Sequence, residues 1–144
     1  MNDTFKIKGK LHIKLFDENG NLKEERKIHN TVTNAGLYGL LDQALASPTL
    51  AKVGWMAIGT GSPAATLLGT EIDRNALTSK TRSNAVLTMV ADWAAGDGTG
   101  AITEAGLFDV VTANTVNMWC SASFSVINKA AADTLQISWT LTIS

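Results

Sequence analysis

The sequence predicts a mainly β protein: a single-domain antiparallel β-sandwich, jelly-roll-like in its strand pattern, with one short helix near residues 34–46. Three observations carry that reading. The last eleven residues, Thr134 to Ser144, place Leu135, Ile137, Trp139, Leu141 and Ile143 at the odd positions and Thr, Gln or Ser at the even ones. That is the period of a strand with one buried and one wet face. A second alternating segment near the N-terminus runs into Asn19-Gly20, a hairpin signal. Finally, about seven strand-like segments recur at short spacing, with a single helical pattern after the first hairpin. The organisation divides into an N-terminal β-hairpin over 1–32, a candidate attachment element, and a sandwich domain over 33–144.

The first strand runs from Phe5 to Leu15, with Phe5, Ile7, Gly9, Leu11, Ile13 and Leu15 on one face and Lys6, Lys8, Lys10, His12 and Lys14 on the other. Leu22 to Val32 returns as its partner, carrying Glu24 and Glu25, one of which can face Lys14 depending on register. The lysine row reads first as a solvated face, partly paired across the hairpin and blunted against edge aggregation. Its functional reading is a docking strip for an acidic surface or a phosphate backbone. Aromatic residues do not alternate with these lysines as single-strand nucleic-acid binders prefer, so no nucleic-acid partner is expected.

Thr33-Asn34 is a helix cap signal, and Leu37, Leu40, Leu41, Ala44 and Leu45 fall on one helical face before Pro48. This stripe is expected to lie as a lid on a sheet. Val53 to Ile58 is a short apolar strand entering Gly59-Thr60-Gly61-Ser62-Pro63-Ala64, formally GxGxxA. A dinucleotide site needs a helix after that turn. Pro63 and a Thr/Gly-rich stretch follow instead, so the glycines are read as loop residues. Leu67 to Thr78 lacks a clean period and reads as a long loop.

Strands resume with Ala85, Leu87, Met89, Ala91 and Trp93 at alternate positions, followed by the flexible turn Gly96 to Gly100. Ile102 to Val110 reads as a strand in which Gly106 suggests a bulge or a close backbone approach. Then Val116, Met118, Cys120, Ala122, Phe124 and Val126 alternate with Asn117, Trp119, Ser121, Ser123 and Ser125. This puts Cys120 in the core as an inert thiol. It leaves Trp119 alone on a polar face, either covered by a loop or anchoring a subunit interface.

Composition narrows the function classes. The 144 residues are 45% hydrophobic and 17% charged, with twelve basic against thirteen acidic side chains. A near-zero balance gives no general attraction to nucleic acid or an anionic membrane and favours association. Met1-Asn-Asp-Thr lacks the basic-then-apolar order of a signal peptide, so synthesis in a cytoplasm is expected. No apolar run reaches the ~18 residues of a membrane helix. A single cysteine provides neither an internal disulfide nor a multi-cysteine zinc site. His12 and His29 have no chelating spacing, and no serine sits in a GxSxG elbow. Asp92, Asp97 and Glu104 match no calcium loop and read as a solvated turn. No catalytic site, metal or cofactor is expected.

Five blocks carry a resemblance: Asn30 to Gly36, Val53-Gly-Trp-Met-Ala-Ile-Gly-Thr-Gly61, Ile102-Thr-Glu-Ala-Gly-Leu-Phe-Asp109, Phe124 to Lys129, and Asp133 to Ile143. In that order, over about residues 30 to 144, they resemble a family of small virion structural proteins of tailed bacteriophages. The resemblance implies a β-sandwich that assembles as a homo-oligomer, with a trimer the expected state, on the outside of a phage particle. The implied role is a capsid decoration (cement) protein bound to the major capsid protein or to other virion proteins; the alternative is a tail or fibre component that binds a host receptor or glycan through the Gly59–Thr78 and Gly96–Gly100 loops. The first thirty residues fall outside the similar region. The interface candidates are therefore the lysines of the hairpin, Lys6, Lys8, Lys10 and Lys14, together with Trp119.

Overall fold

The computed structural model describes residues 6–144. The expected strand start at Phe5 and the N-terminal Met1-Asn-Asp-Thr lie outside the described residues. In chain order the elements are β1 (Ile7–Phe16), β2 (Leu22–His29), β3 (Thr31–Val32), α1 (Asn34–Asp42), β4 (Trp55–Gly59), β5 (Glu71–Ala76), β6 (Ser79–Ser83), β7 (Val86–Trp93), β8 (Gly100–Phe108), β9 (Met118–Lys129) and β10 (Thr134–Ile143). They form two five-stranded sheets, β2-β1-β10-β7-β6 and β3-β9-β8-β4-β5. The expected mainly β, two-sheet architecture is what the chain adopts.

The alternation of β1 and β10 explains why they sit centrally in the first sheet. They pair antiparallel from Ile7↔Ile143 to Phe16↔Thr134, so Leu11, Ile13 and Leu15 enter the same core as Leu135, Ile137, Trp139 and Leu141. Residues on both sides of the boundary expected at 32/33 share this sheet and this core, since β1 pairs with β10, so that boundary does not mark where packing stops. The turn between β1 and β2 is built by Asp17, whose carboxylate accepts the N–H groups of Asn19 and Asn21, both at 2.9 Å, while Gly20 takes φ +80°. The expected strand Leu22–Val32 is broken. At Asn30 the chain leaves β2 in the first sheet and enters the short β3 in the second, where Val32 pairs with Cys120.

The second sheet is covered on both faces. Its inner face supplies Met56, Ile58, Ile102, Ala105, Leu107 and Cys120 to the main core. On its outer face Ala57, Phe108 and Met118 lie beneath Leu68 and Trp55. Consequently Glu104 to Phe108 are all buried, and β8 shows no alternation. The close approach expected at Gly106 is present: a Cβ there would sit 2.9 Å from both Met118 Sδ and Phe108 Cε2.

The reading of Leu67–Thr78 as a loop is corrected, because β5 occupies Glu71–Ala76 and pairs with β4. A bulge at Ile72, where the partners step from Ile58↔Asp73 to Gly59↔Glu71, hides its period. The bulge brings Glu71 and Arg74 onto one face, where they form a buried ion pair at 2.7 Å. The Arg74 guanidinium also stacks 3.7 Å over the Phe108 ring and donates to the Val110 carbonyl.

At the opposite end, Asp133 ties β9 to β10. Its carboxylate accepts from Lys23 Nζ at 2.8 Å and from the Ala130 N–H at 2.9 Å, and these bonds, the lysine's first, hold its pKa below the ordinary aspartate value. A lowered folded-state pKa contributes stability that is complete above about pH 4 and is lost as pH falls through the lowered value. Asp133→Asn should therefore flatten the acid side of the stability–pH curve. Urea titrations of both proteins at neutral and acid pH would show this, and parallel curves would count against the bridge.

Candidate functional site

The outer face of the first sheet carries the largest concentration of unpaired positive charge. Lys8, Lys10, His12 and Lys14 point outward from β1 because Gly9, Leu11, Ile13 and Leu15 point inward. The register with β2 sets Lys10 opposite His29, His12 opposite Lys27, and Lys14 opposite Glu25. On the other flank, Lys8, Lys10, His12 and Lys14 face Thr142, Thr140, Ser138 and Gln136 of β10. The face thus passes from cationic over β1 and β2 to neutral and hydroxyl-rich over β10. Lys6 lies just before β1, exposed, its backbone exchanging hydrogen bonds with Ser144.

One carboxylate interrupts the strip. Glu25 Oε1 lies 2.5 Å from His12 Nε2, and this hydrogen bond, helped by the charges of His12, Lys27 and Lys14, holds the carboxyl below its usual pKa. Glu24 turns to the other side of β2, where it meets Arg26 at 3.2 Å. Among the described residues, Lys6, Lys8, Lys10, Lys14 and Lys27 enter no ion pair. A shallow depression of about 330 Å³ between Lys10, His12, Lys27, His29, Ser138 and Thr140 marks the middle of the strip.

Trp119, expected on the polar face, is buried and belongs to the main core. The pairing steps from Leu107↔Cys120 to Phe108↔Met118, so Trp119 is the extra residue of a bulge and turns to the same side as Cys120. Its indole N–H donates to Asp109 Oδ2 at 3.2 Å, and α1 covers it. It is a packing residue beneath the helix, not an exposed interface anchor. Cys120 lies in the core as expected, its thiol pKa pushed up to about 12 by burial.

Helix α1 differs from its expected form in extent and in face. Thr33 caps it, accepting the Gly36 N–H at 3.1 Å. It ends at Asp42, not near residue 46, because the Asp42 carboxylate takes the N–H groups of Thr49 and Leu50 and draws the chain into a turn. Its buried side is made of Gly36 and Gly39, which allow the backbone to rest against Trp119. Only Leu40 of the leucine stripe packs against the core, whereas Leu37, Leu41 and Leu45 are exposed.

The GxGxxA turn closes on a carboxylate from its own chain. Glu104, fully buried on β8, accepts from Gly61 N (3.0 Å) and Thr70 N (2.8 Å) with Oε1, and from Gly69 N (2.9 Å) with Oε2. Within the turn itself, the Gly61 N–H is taken by this side chain, the Thr60 N–H by the Thr70 carbonyl and the Ala64 N–H by the Leu67 carbonyl. The reading of Glu104 as part of a solvated turn is corrected accordingly. The available signal was a lone acid in an apolar strand beside a glycine-rich segment, which must find donors if it is buried. Asp92 is engaged separately by Thr78 and Gln136.

Among the described residues, no three His, Cys, Asp or Glu side chains gather as metal ligands, and no helix is long and apolar enough to cross a membrane. What the arrangement offers is contact by charge on one sheet face and by apolar side chains on α1. These surfaces stand on a two-sheet β-sandwich; comparison with protein-family models, characterised proteins and solved structures returns no match to the chain.

Proposed function

We propose that this chain is a structural protein of a tailed-phage virion, a decoration (cement) protein that binds the outside of the head shell as an oligomer and stabilises it. The observation that carries the reading is the cationic face of the first sheet: Lys8, Lys10 and Lys14, flanked by Lys27, are held in register on a rigid strand pair beside the neutral face of β10. A flat charged surface of this kind suits docking on an acidic protein shell better than enclosing a small molecule. The resemblance of residues 30 to 144 to phage virion proteins supports the same role. The tail or fibre alternative leaned on both Gly59–Thr78 and Gly96–Gly100 as ligand loops. The first of these loses support, because Glu104 pins it and β5 occupies part of it.

Each exposed ion pair contributes about 0–1 kcal/mol. Attachment therefore rests on several such contacts per copy, multiplied across copies held together in an oligomer. The contacts weaken with added salt, because the screening length is about 8 Å at physiological ionic strength. Lys6, Lys8 and Lys10 are exposed, so Lys6→Glu, Lys8→Glu and Lys10→Glu combined should leave the circular dichroism spectrum and melting curve nearly unchanged. The affinity for the shell should fall at least about tenfold, equivalent to about 1.4 kcal/mol, and be read as fewer copies retained per particle at limiting protein. Full occupancy by the triple variant would remove the strip from the interface.

A further inference from the structure

The segment from Leu37 to Leu50 is the least expected part of the surface. Leu37 is 40%, Tyr38 64%, Leu41 69%, Leu45 54% and Leu50 41% exposed. Taken at roughly 200 Å² per large side chain, these exposures leave on the order of 500 Å² of apolar surface in one stretch of chain. That lies within the ~300–600 Å² of the largest patches on monomeric proteins, which are often functional. The stretch is continuous in space. Leu37, Tyr38 and Leu41 share the outer side of α1, and Ala44, Leu45, Thr49 and Leu50 are tied back to its end by hydrogen bonds to Leu41 and Asp42.

We infer that this α1 surface is a contact between copies of the chain. Two properties point to a second copy as the occupant. The first is charge: from Asn34 to Ala51 the only charged residue is Asp42. Its carboxylate is taken up by Thr49 and Leu50, and those bonds, Thr49's side chain first, lower its pKa. Apart from that one hydrogen-bonded carboxylate the patch is uncharged, so it meets its own image with little repulsion. Cations are found only beside the patch, where Lys52, Lys80 and Arg82 line a groove with Leu40 and Gln43, and none lies among its exposed leucines and Tyr38. The second is size: a standard interface takes about 800 Å² from each partner, and homodimer contacts are about 65% apolar. The apolar share of one side is then about 500 Å², which the patch supplies.

The patch lies on α1 against the second sheet, whereas the lysine strip lies on the outer face of the first. One can hold copies together while the other stays free to dock. The inference deepens the proposed decoration role by naming the oligomer contact, and it is read on the isolated protein, where attachment to a shell plays no part.

The test is sedimentation of the full chain across a concentration series. The wild type should run at a multiple of 15.2 kDa. Leu41→Lys with Leu45→Lys should weaken self-association at least about tenfold and shift the mass toward the monomer, with an unchanged circular dichroism spectrum. Leu22→Lys, at an exposed leucine on β2, should leave the oligomer intact. A wild type that stays monomeric at 100-fold above its cellular-range concentration, or an α1 double variant that assembles like the wild type, would overturn the inference while leaving shell binding to be judged separately.

Discussion

Glu104→Gln should lower the unfolding free energy by about 3 kcal/mol. The glutamine has nearly the same shape, so packing is kept and only the hydrogen bonding changes. Its best orientation keeps the oxygen where Oε1 meets Gly61 and Thr70 and sets the NH2 against the Gly69 N–H. One bond to a charged acceptor, worth about 1.5–3 kcal/mol, is then lost, and a buried donor is orphaned at about 1–3 kcal/mol. For a domain of this size the melting temperature should fall by about 10 °C. The position of the damage is the sharper readout: amide exchange at Gly69 should accelerate more than at Gly61 or Thr70. A variant within about 1 kcal/mol of the wild type, with Gly69 still protected, would mean that the carboxylate does not hold the loop.

Gly36→Ala sets two effects against each other. On an isolated helix, alanine would stabilise by about 1 kcal/mol. Here a Cβ would lie 2.2 Å from the Trp119 carbonyl oxygen and 3.0 Å from its carbon, both backbone atoms of β9. Relief requires α1 to lift away from the sheet, and overpacking of this kind costs about 1–3 kcal/mol, occasionally more. The clash should win, giving a net destabilisation of about 2 kcal/mol by denaturant titration. Tyr38→Ala, on the exposed side of the same helix, should change the stability of the dissociated chain little. The sign of the Gly36→Ala effect is decisive, since a stabilised variant would mean that α1 does not seat on Trp119 as described.

Where a strand has one wet face and one buried face, its sequence displays it. β1 and β10 were legible for this reason: Leu11, Ile13, Leu15, Leu135, Ile137, Trp139 and Leu141 enter the core and Lys8, Lys10 and Lys14 point outward as read, although Ile143 at the strand end is exposed. The Asn19-Gly20 turn was legible because Gly20 takes the positive φ that such a turn requires. β8 was recognisable as a strand, but the depth of its burial was hidden because both of its faces are covered. β5 was missed because its bulge and its buried Glu71–Arg74 pair imitate a polar loop, and β6 because all five of its residues are exposed and show no alternation.

The candidate site was legible to the same degree. The lysine row follows from period two alone, and the structure adds only its partner, Glu25. Trp119 could not be placed, since a single extra residue in β9 reverses the side to which it points. The helix was found, but its buried face was misassigned. Leucines are usually buried, yet here the close approach to Trp119 requires residues without a Cβ, so the glycines face inward and the leucines face out. The helix position was set by the main-chain fit, and the exposed apolar surface follows from it.

Reconstruction of intact particles that carry this chain, with the head and the tail averaged separately, tests whether it decorates a phage head through its cationic sheet face. The expected result is density for the sandwich in hundreds of copies over the outer shell, with β1 and β2 turned toward the capsid and α1 toward neighbouring copies. Absence from the head, or a handful of copies confined to the tail, would contradict it.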